Sequence, residues 1–138
     1  MTPVDIAVVE SKAEIALREI ALLKELLKKR VSSKSDIILQ HALTHAIQNL
    51  TSAVIDIAQH VGSERGAAVP ESYAAAIEQL GALGILPKKF ALDFSAVARL
   101  RNVVVHAYAK LDIDILVRHT PKLIKDSRQF LRCVLKKM

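Results

Sequence analysis

The sequence is poor in residues that crosslink or interrupt a chain. Its 138 residues include one cysteine, four glycines, four prolines, two tyrosines, three phenylalanines and no tryptophan. The single cysteine, Cys133, excludes an internal disulfide, and its Leu/Val-rich surroundings favour a packed thiol over a nucleophile. Alanine, leucine, isoleucine and lysine abound instead, and these residues favour helices over strands. We therefore expect an all-α fold.

Long hydrophobic runs are also missing. No stretch approaches the ~20 uncharged apolar residues of a membrane span, and Asp5 and Glu10 come too early for a signal peptide. We therefore expect a cytoplasmic protein that is not bound to a membrane. Hydrophobic residues still make up 51% of the chain, which is ample for one core, and the length fits a single domain spanning residues 1–138.

The charge balance is basic, with a net charge of +6 at pH 7. Such a charge favours polyanionic partners, although many soluble helical domains carry it without binding any. Several basic side chains could guide RNA by charge, while most surface lysines and arginines are simply solvated. The candidates are Lys28, Lys29, Arg30, Lys34, Lys88, Lys89 and Lys110.

Helix start and stop signals divide the chain into about five helices, which predicts an antiparallel helical bundle. We expect the first from Pro3 to Arg30 with Thr2 as its N-cap, and the second to end before Gly62. The third should open at Pro70 and stop in "GALGILP". The fourth should run from Pro87 to about Leu111, and the fifth from near Asp112 or Asp114, where Thr120-Pro121 could kink it or delay its start.

The segment "RLRNVVVHAY" places polar groups inside an otherwise apolar helix. At about 100° per residue, Arg101, Asn102, His106 and Tyr108 rim one arc of the helix, with small side chains between them. Leu100, Val103 and Val104 are predicted to point to the other side, toward the core. The arc therefore suggests a site, although Arg101 could instead pair with Asp56 or Glu78 in a purely structural role.

These side-chain types suit metal-independent cleavage of RNA. Histidine exchanges its proton near neutral pH and can deprotonate a ribose 2′-hydroxyl. Arginine can hold a phosphate and offset the charge that builds on it, asparagine can orient the substrate, and tyrosine can hydrogen-bond a phosphate or stack on a base. The chain offers one candidate catalytic histidine, which is few for such a reaction. A dimer partner that contributes a second copy of the site is therefore a natural solution.

The segment "RNVVVHAY" resembles the R-x-x-x-x-H-x-Y motif of the HEPN-domain ribonuclease toxins, in their HepT-like branch. Blocks such as "AIQNLTSAVIDIAQHVG" and "VPESYAAAIEQLGALGILPKKFA" extend the resemblance over nearly the whole chain beyond the first helix. The resemblance implies a HEPN-like helical bundle that dimerises around an RNA-binding cleft. Arg101, Asn102 and His106 would then match the catalytic positions, and the product would carry a 2′,3′-cyclic phosphate.

The same resemblance implies a partner and a means of inhibition. HepT-like toxins of the HepT/MntA type are usually paired with a nucleotidyltransferase antitoxin of the MNT type, which uses ATP to attach AMP to the motif tyrosine. Here that residue would be Tyr108, and the anionic AMP would occupy Arg101 and block the cleft. The toxin itself would need no cofactor and no metal.

Other polar residues leave alternatives open. Asp56 could position Arg101 or His106 through a hydrogen bond, or could be a helix-surface carboxylate. His41 and His45, four residues apart, could share a metal ion, but no third ligand is evident and a solvated helix face is favoured. Two further functions also remain possible: a non-catalytic helical module that binds a nucleotide or partner, and a plain bundle whose polar quartet stabilises a dimer.

Overall fold

A computed structural model describes residues 5–106 and 110–138, and these residues contain six α-helices. The all-α prediction is therefore confirmed. The helices are α1 (Ile6–Lys28), α2 (Ile37–Glu64), α3 (Tyr73–Ala82), α4 (Lys88–Phe94), α5 (Val97–His106) and α6 (Ile113–Lys136).

Helix α2 is the centre of the bundle, since α1, α3, α5 and α6 all contact it. Its pairing with α1 is antiparallel, as the paired apolar stripes predict. Lys12 of α1 meets Asp56 in the second half of α2, whereas Glu19 meets Asn49 about two turns earlier in α2. Both stripes are buried in the core, where Leu23, Leu43 and Leu50 are fully covered.

Several predicted helix boundaries are wrong, and the capping side chains show why. Asp5 caps α1 by accepting from the N–H groups of Ala7 and Val8, so the described helix begins at Ile6. Ser72, whose hydroxyl accepts from Ala75 N–H, makes α3 begin at Tyr73. Helix α2 continues through the buried Gly62 to Glu64. Thr2 and Pro3, the predicted N-cap and first residue of α1, lie outside the described residues.

The predicted fourth helix is in fact two helices, α4 and α5. At the junction the Ser95 hydroxyl donates to the Leu92 carbonyl at 2.7 Å. Around it, the N–H groups of Ala96, Ala98 and Arg99 reach back three residues, which tightens the backbone. This turn separates α4 from α5.

The last helix begins at Ile113 with Asp112 as its N-cap and continues through Pro121. Proline removes one backbone donor there. The preceding Thr120 donates its hydroxyl to the Leu116 carbonyl at 2.7 Å, and Pro121 itself faces solvent. None of the helices in the described ranges combines the length and hydrophobicity that a bilayer crossing needs.

Candidate active site

Helix α5 carries the candidate site on its exposed side. It buries Val97, Ala98 and Val104 against the bundle, while Asn102 and His106 are exposed and Arg101 is half-buried. Val103 was predicted to face the core, but 40% of it is exposed. The prediction failed because α5 buries a narrow stripe against α2, and Val103 lies about 100° from Val104 around the helix.

Two neighbours hold the guanidinium of Arg101. Its Cζ lies 5.0 Å from the centre of the Tyr73 ring, which is a cation–π distance. Its Nη1 donates to Asn102 Oδ1 at 3.4 Å. Arg101 therefore pairs with an aromatic face and an amide, and no salt bridge to Asp56 or Glu78 occurs within the described part of the chain. A guanidinium held by neutral groups keeps its full charge available for an anion.

Tyr73 is a functional candidate that the sequence reasoning missed. It is the first residue of α3, which Ser72 caps and which packs against both α2 and α5. The capping serine could have located the start of this helix. Only the packing of α3 on α5 shows that the ring lies under Arg101, 28 positions further along the chain.

His106 is the last residue of α5, and its imidazole is exposed. It lies about 7.5 Å along the helix axis from Arg101. The structure therefore brings Arg101 and Asn102 into contact and places His106 on the same helix without a direct contact to either. Tyr108, the predicted modification site, lies outside the described residues.

The structure does not bring Asp56 to the site. Its carboxylate pairs with Lys12 of α1 at 3.1 Å, and both side chains are substantially exposed. Because α2 turns this residue toward α1, Asp56 joins the first two helices instead of positioning Arg101 or His106. The helix-surface interpretation of Asp56 is therefore the one that the geometry supports.

A pocket of about 430 Å³ lies between α2 and α5, beside the candidate site. Val104 and Val105 form its α5 wall, and the α2 wall carries polar side chains at helical spacing. Within the described ranges no group of three or more metal-ligating side chains comes together. The polar wall consists of His41, Thr44, His45 and Gln48.

A second opening, an apolar groove of about 340 Å³, lies on the other side of α5, against α6. Leu100, Val103 and Ile115 line it, and Val103 and Ile115 are substantially exposed. At its rim Lys122 donates to Asp126 at 2.6 Å and to Asp93 at 2.8 Å. Two hydrogen bonds raise the pKa of Lys122 above its usual value, and the bond to Asp126 has a larger effect than the bond to Asp93.

A polar link fixes the start of α6, shortly after the motif in the sequence. Asp114 accepts from the backbone N–H and the hydroxyl of Ser33, both at 2.9 Å. Both hydrogen bonds lower the pKa of Asp114, and the bond from the backbone N–H of Ser33 has the larger effect. The link ties the loop between α1 and α2 to the first turn of α6.

Together these groups form an exposed site with an oriented cation, an amide and an imidazole on one helix. Such a set can bind an anion and transfer a proton.

Comparison with known proteins identifies the family of this chain. Residues 16–134 match the family model described as Ribonuclease HepT-like. The mRNA nuclease HepT of Shewanella oneidensis strain MR-1 is 26% identical over 126 residues, covering 86% of this chain and 94% of that protein.

Solved structures share the fold. The tri-AMPylated HEPN toxin of S. oneidensis, in complex with its MNT antitoxin, superposes with a TM-score of 0.83 at 23% identity, covering 94% of this chain and 97% of that one. The cytosolic protein YutE of Bacillus subtilis, of unknown function, superposes with a TM-score of 0.84 at 18% identity, covering 99% and 92%. The family match spans most of the sequence and includes the whole of α5, so this chain belongs to the HepT-like ribonuclease family.

Proposed function

We propose that this protein is a metal-independent endoribonuclease and the toxin of a toxin–antitoxin pair. The observation that carries the proposal is the exposed set on α5, in which Arg101 is held by Tyr73 and Asn102 while His106 lies free to solvent at the helix end. The name of the S. oneidensis relative, an mRNA nuclease, supports RNA as the substrate.

In this reaction His106 takes the proton from a ribose 2′-hydroxyl. The 2′-oxygen attacks the adjacent phosphorus, the bond to the 5′-oxygen breaks, and the products are a 2′,3′-cyclic phosphate and a 5′-hydroxyl end. Arg101 stabilises the charge on the phosphorane-like transition state by charge-assisted hydrogen bonds. Asn102 fixes the guanidinium from one side and can orient the substrate.

The reaction also needs an acid for the leaving 5′-oxygen, and each chain offers one motif histidine. A homodimer that brings two α5 helices together supplies the second imidazole. The apolar groove beside α5 supports this arrangement, because Val103 and Ile115 leave an exposed apolar surface next to the site. A second copy of the chain is the occupant that would complete the site.

The proposed inhibitor is an MNT-type nucleotidyltransferase that uses ATP to attach AMP to Tyr108. The support comes from the motif position of this tyrosine and from the S. oneidensis toxin, which is tri-AMPylated in its complex with an MNT antitoxin. An added AMP brings a negatively charged phosphodiester close in sequence to Arg101 and competes with RNA for that cation.

The test is induction of the wild type, His106→Ala and Arg101→Ala at matched soluble levels, with Arg132→Ala as the control. Arg132 is an exposed arginine on α6. We expect growth arrest and new cyclic-phosphate RNA ends with the wild type and Arg132→Ala, and neither with the other two variants. Loss of a general base or of an oxyanion-type contact lowers such rates by about 10²–10⁴.

Equal growth and intact RNA in all four cultures would contradict the ribonuclease proposal. The protein would then act as a binding module, and the polar groups on α5 would serve to dock a nucleotide or the transferase. RNA cleavage by purified His106→Ala at the wild-type rate would equally exclude His106 as the base.

A further inference from the structure

We infer that the pocket between α2 and α5 is a nucleobase-binding subsite, which holds a base of single-stranded RNA beside the phosphate bound by Arg101. The inference rests on the proposed ribonuclease function and adds residues of α2 that the R-x-x-x-x-H motif does not contain. Four side chains, His41, Thr44, His45 and Gln48, would contact the base.

The position of the pocket relates it to Arg101. Val104 and Val105, which form its α5 wall, are three and four residues after Arg101 and therefore lie on the same helix face, one turn along. One turn is about 5.4 Å, a distance that fits a phosphate and a base of one nucleotide or its neighbour. The α5 wall of the pocket therefore lies about one helical turn from the proposed phosphate-binding group.

The shape and lining of the pocket suit a planar heterocycle. Its volume of about 430 Å³ is in the range of small-molecule sites. The two valines give it an apolar wall, and imidazole rings provide faces on which bases stack. Gln48 supplies both an amide donor and an amide acceptor, the pair of groups that reads the edge of a base.

The polar wall is partly ordered before any ligand binds. The Asn49 amide nitrogen lies 3.4 Å from Glu19 Oε1 and 3.1 Å from His45 Nε2, so it donates to both. The contact with Asn49 holds the His45 ring in one orientation at the pocket wall. Glu19, which is only 7% exposed, fixes the amide from the α1 side.

Thr44 is oriented in the same way, because its hydroxyl donates to the Gln40 carbonyl at 3.0 Å and keeps its lone pairs for a donor. These contacts make the α2 wall a set of fixed hydrogen-bonding groups. They also favour a base over a metal ion, since His45 Nε2 is already engaged and the described chain offers no third ligand nearby.

The test uses an RNA pentamer of 2′-O-methyl nucleotides, which cannot be cleaved because the nucleophilic hydroxyl is blocked. Each position in turn carries an abasic nucleotide, and binding is followed by fluorescence anisotropy. For the wild type we expect a loss of affinity of about tenfold at one position, the size of a base-stacking contact. His45→Ala and Gln48→Ala should weaken the intact pentamer to a similar degree.

The decisive measurement is the affinity of each pocket variant for the pentamer that carries the abasic nucleotide. If the pocket holds the base, the abasic nucleotide at that position costs the variants no further affinity, because the contact is already gone. Gln59→Ala, which replaces an exposed glutamine of the same helix, should behave as the wild type. Equal losses for the abasic pentamer in the wild type and in both pocket variants would overturn the subsite.

The two proposals fail separately. Cleavage of unmodified RNA by the wild type but not by His106→Ala, together with additive losses in the pentamer assay, would retain the ribonuclease and reject the subsite. Non-additive losses without any cleavage would reject the ribonuclease and retain a base-binding pocket. Thermal unfolding by circular dichroism shows that each variant is folded, and we expect little change because His45 and Gln59 are exposed and Gln48 is half-buried at the surface.

Discussion

The ring of Tyr73 is expected to set the orientation of Arg101. Tyr73→Leu removes the aromatic face 5.0 Å from the guanidinium, a contact that contributes about 0.5–1 kcal/mol at exposed sites. We expect RNA cleavage to fall by about two- to fivefold at subsaturating RNA, with normal folding. Tyr73→Phe keeps the ring and should retain wild-type activity, and an equal loss in both variants would mean that the hydroxyl, not the ring, is needed.

Asp114 is expected to make stability sensitive to acid. Its pKa is lower in the folded protein than in the unfolded chain, because Ser33 donates two hydrogen bonds to the charged carboxylate. Its contribution is therefore present above the unfolded pKa and disappears as the pH falls through the folded pKa. Asp114→Ala should lower the melting temperature at pH 7, and the difference from the wild type should shrink toward pH 3.

Glu78→Ala, which removes an exposed carboxylate from α3, is the control for the Asp114 measurement. It should leave the melting temperature close to that of the wild type across this range of pH. A deficit of Asp114→Ala that stays constant down to pH 3 would contradict the assignment of the effect to the charged carboxylate.

The sequence indicated the residue types of the site better than their partners. Arg101, Asn102 and His106 were identifiable because polar groups interrupt an apolar helical pattern. The contact of Arg101 with Tyr73 was not, since it depends on how α3 packs against α5. The partner of Asp56 was not predictable for the same reason. It depends on how α1 packs against α2, where the carboxylate of Asp56 pairs with Lys12.

At the scale of the elements, the close approach of α3 and α4 depends on Gly81. A Cβ there would lie 2.9 Å from Ala91 Cβ and 3.4 Å from Lys88 Cα. Gly81→Ala should therefore lower the free energy of unfolding by about 1–3 kcal/mol through overpacking. Chemical denaturation measures this change.

Gly62→Ala is the matched control within another helix. A Cβ at Gly62 would meet Gln79 Oε1 at 3.5 Å, an ordinary contact distance. Because alanine favours the helix, this substitution should be neutral or stabilise the protein by about 0.5–1 kcal/mol. Equal destabilisation by both alanines would contradict the role given to the α3–α4 contact.

The helical type of the elements followed from hydrophobic periodicity and from caps, but their number did not, because the predicted fourth helix is divided in two. The apolar spacing from Phe90 to Val104 continues across Ser95, so the pattern alone indicates one helix. A side-chain hydrogen bond to the Leu92 carbonyl and a few three-residue backbone bonds separate α4 from α5. Periodicity does not record such local changes of hydrogen bonding.

At the scale of the whole molecule, the proposed dimer gives a prediction about assembly. Val103→Glu places a charge on the exposed apolar surface beside the groove between α5 and α6. We expect the variant to sediment as a monomer and to lose RNA cleavage, because burying an unpaired carboxylate in an interface is costly. Val69→Glu, at a valine that is 92% exposed in the loop before α3, should remain dimeric and active.

A wild type that sediments as a monomer at all concentrations and still cleaves RNA would contradict the dimer proposal. A dimeric Val103→Glu would place the interface on another surface.

The antiparallel bundle itself was predictable from the sequence, since two long, consecutive helices with apolar stripes bury these stripes by packing against each other. The site of assembly was not, because an exposed valine on α5 has the same sequence signature as a buried one.

The packing of α5 on α2 also determines how late in synthesis the proposed site can form. The walls of the pocket come from residues 41–48 and 104–105, and Arg101 and His106 come late in the chain. A nascent chain that has released only α1 and α2 from the ribosome carries the histidines of α2 but no motif helix. Under the proposed function, the ribosome completes about three quarters of the polypeptide before Arg101 is added, and a product that terminates before residue 101 lacks the proposed phosphate-binding group.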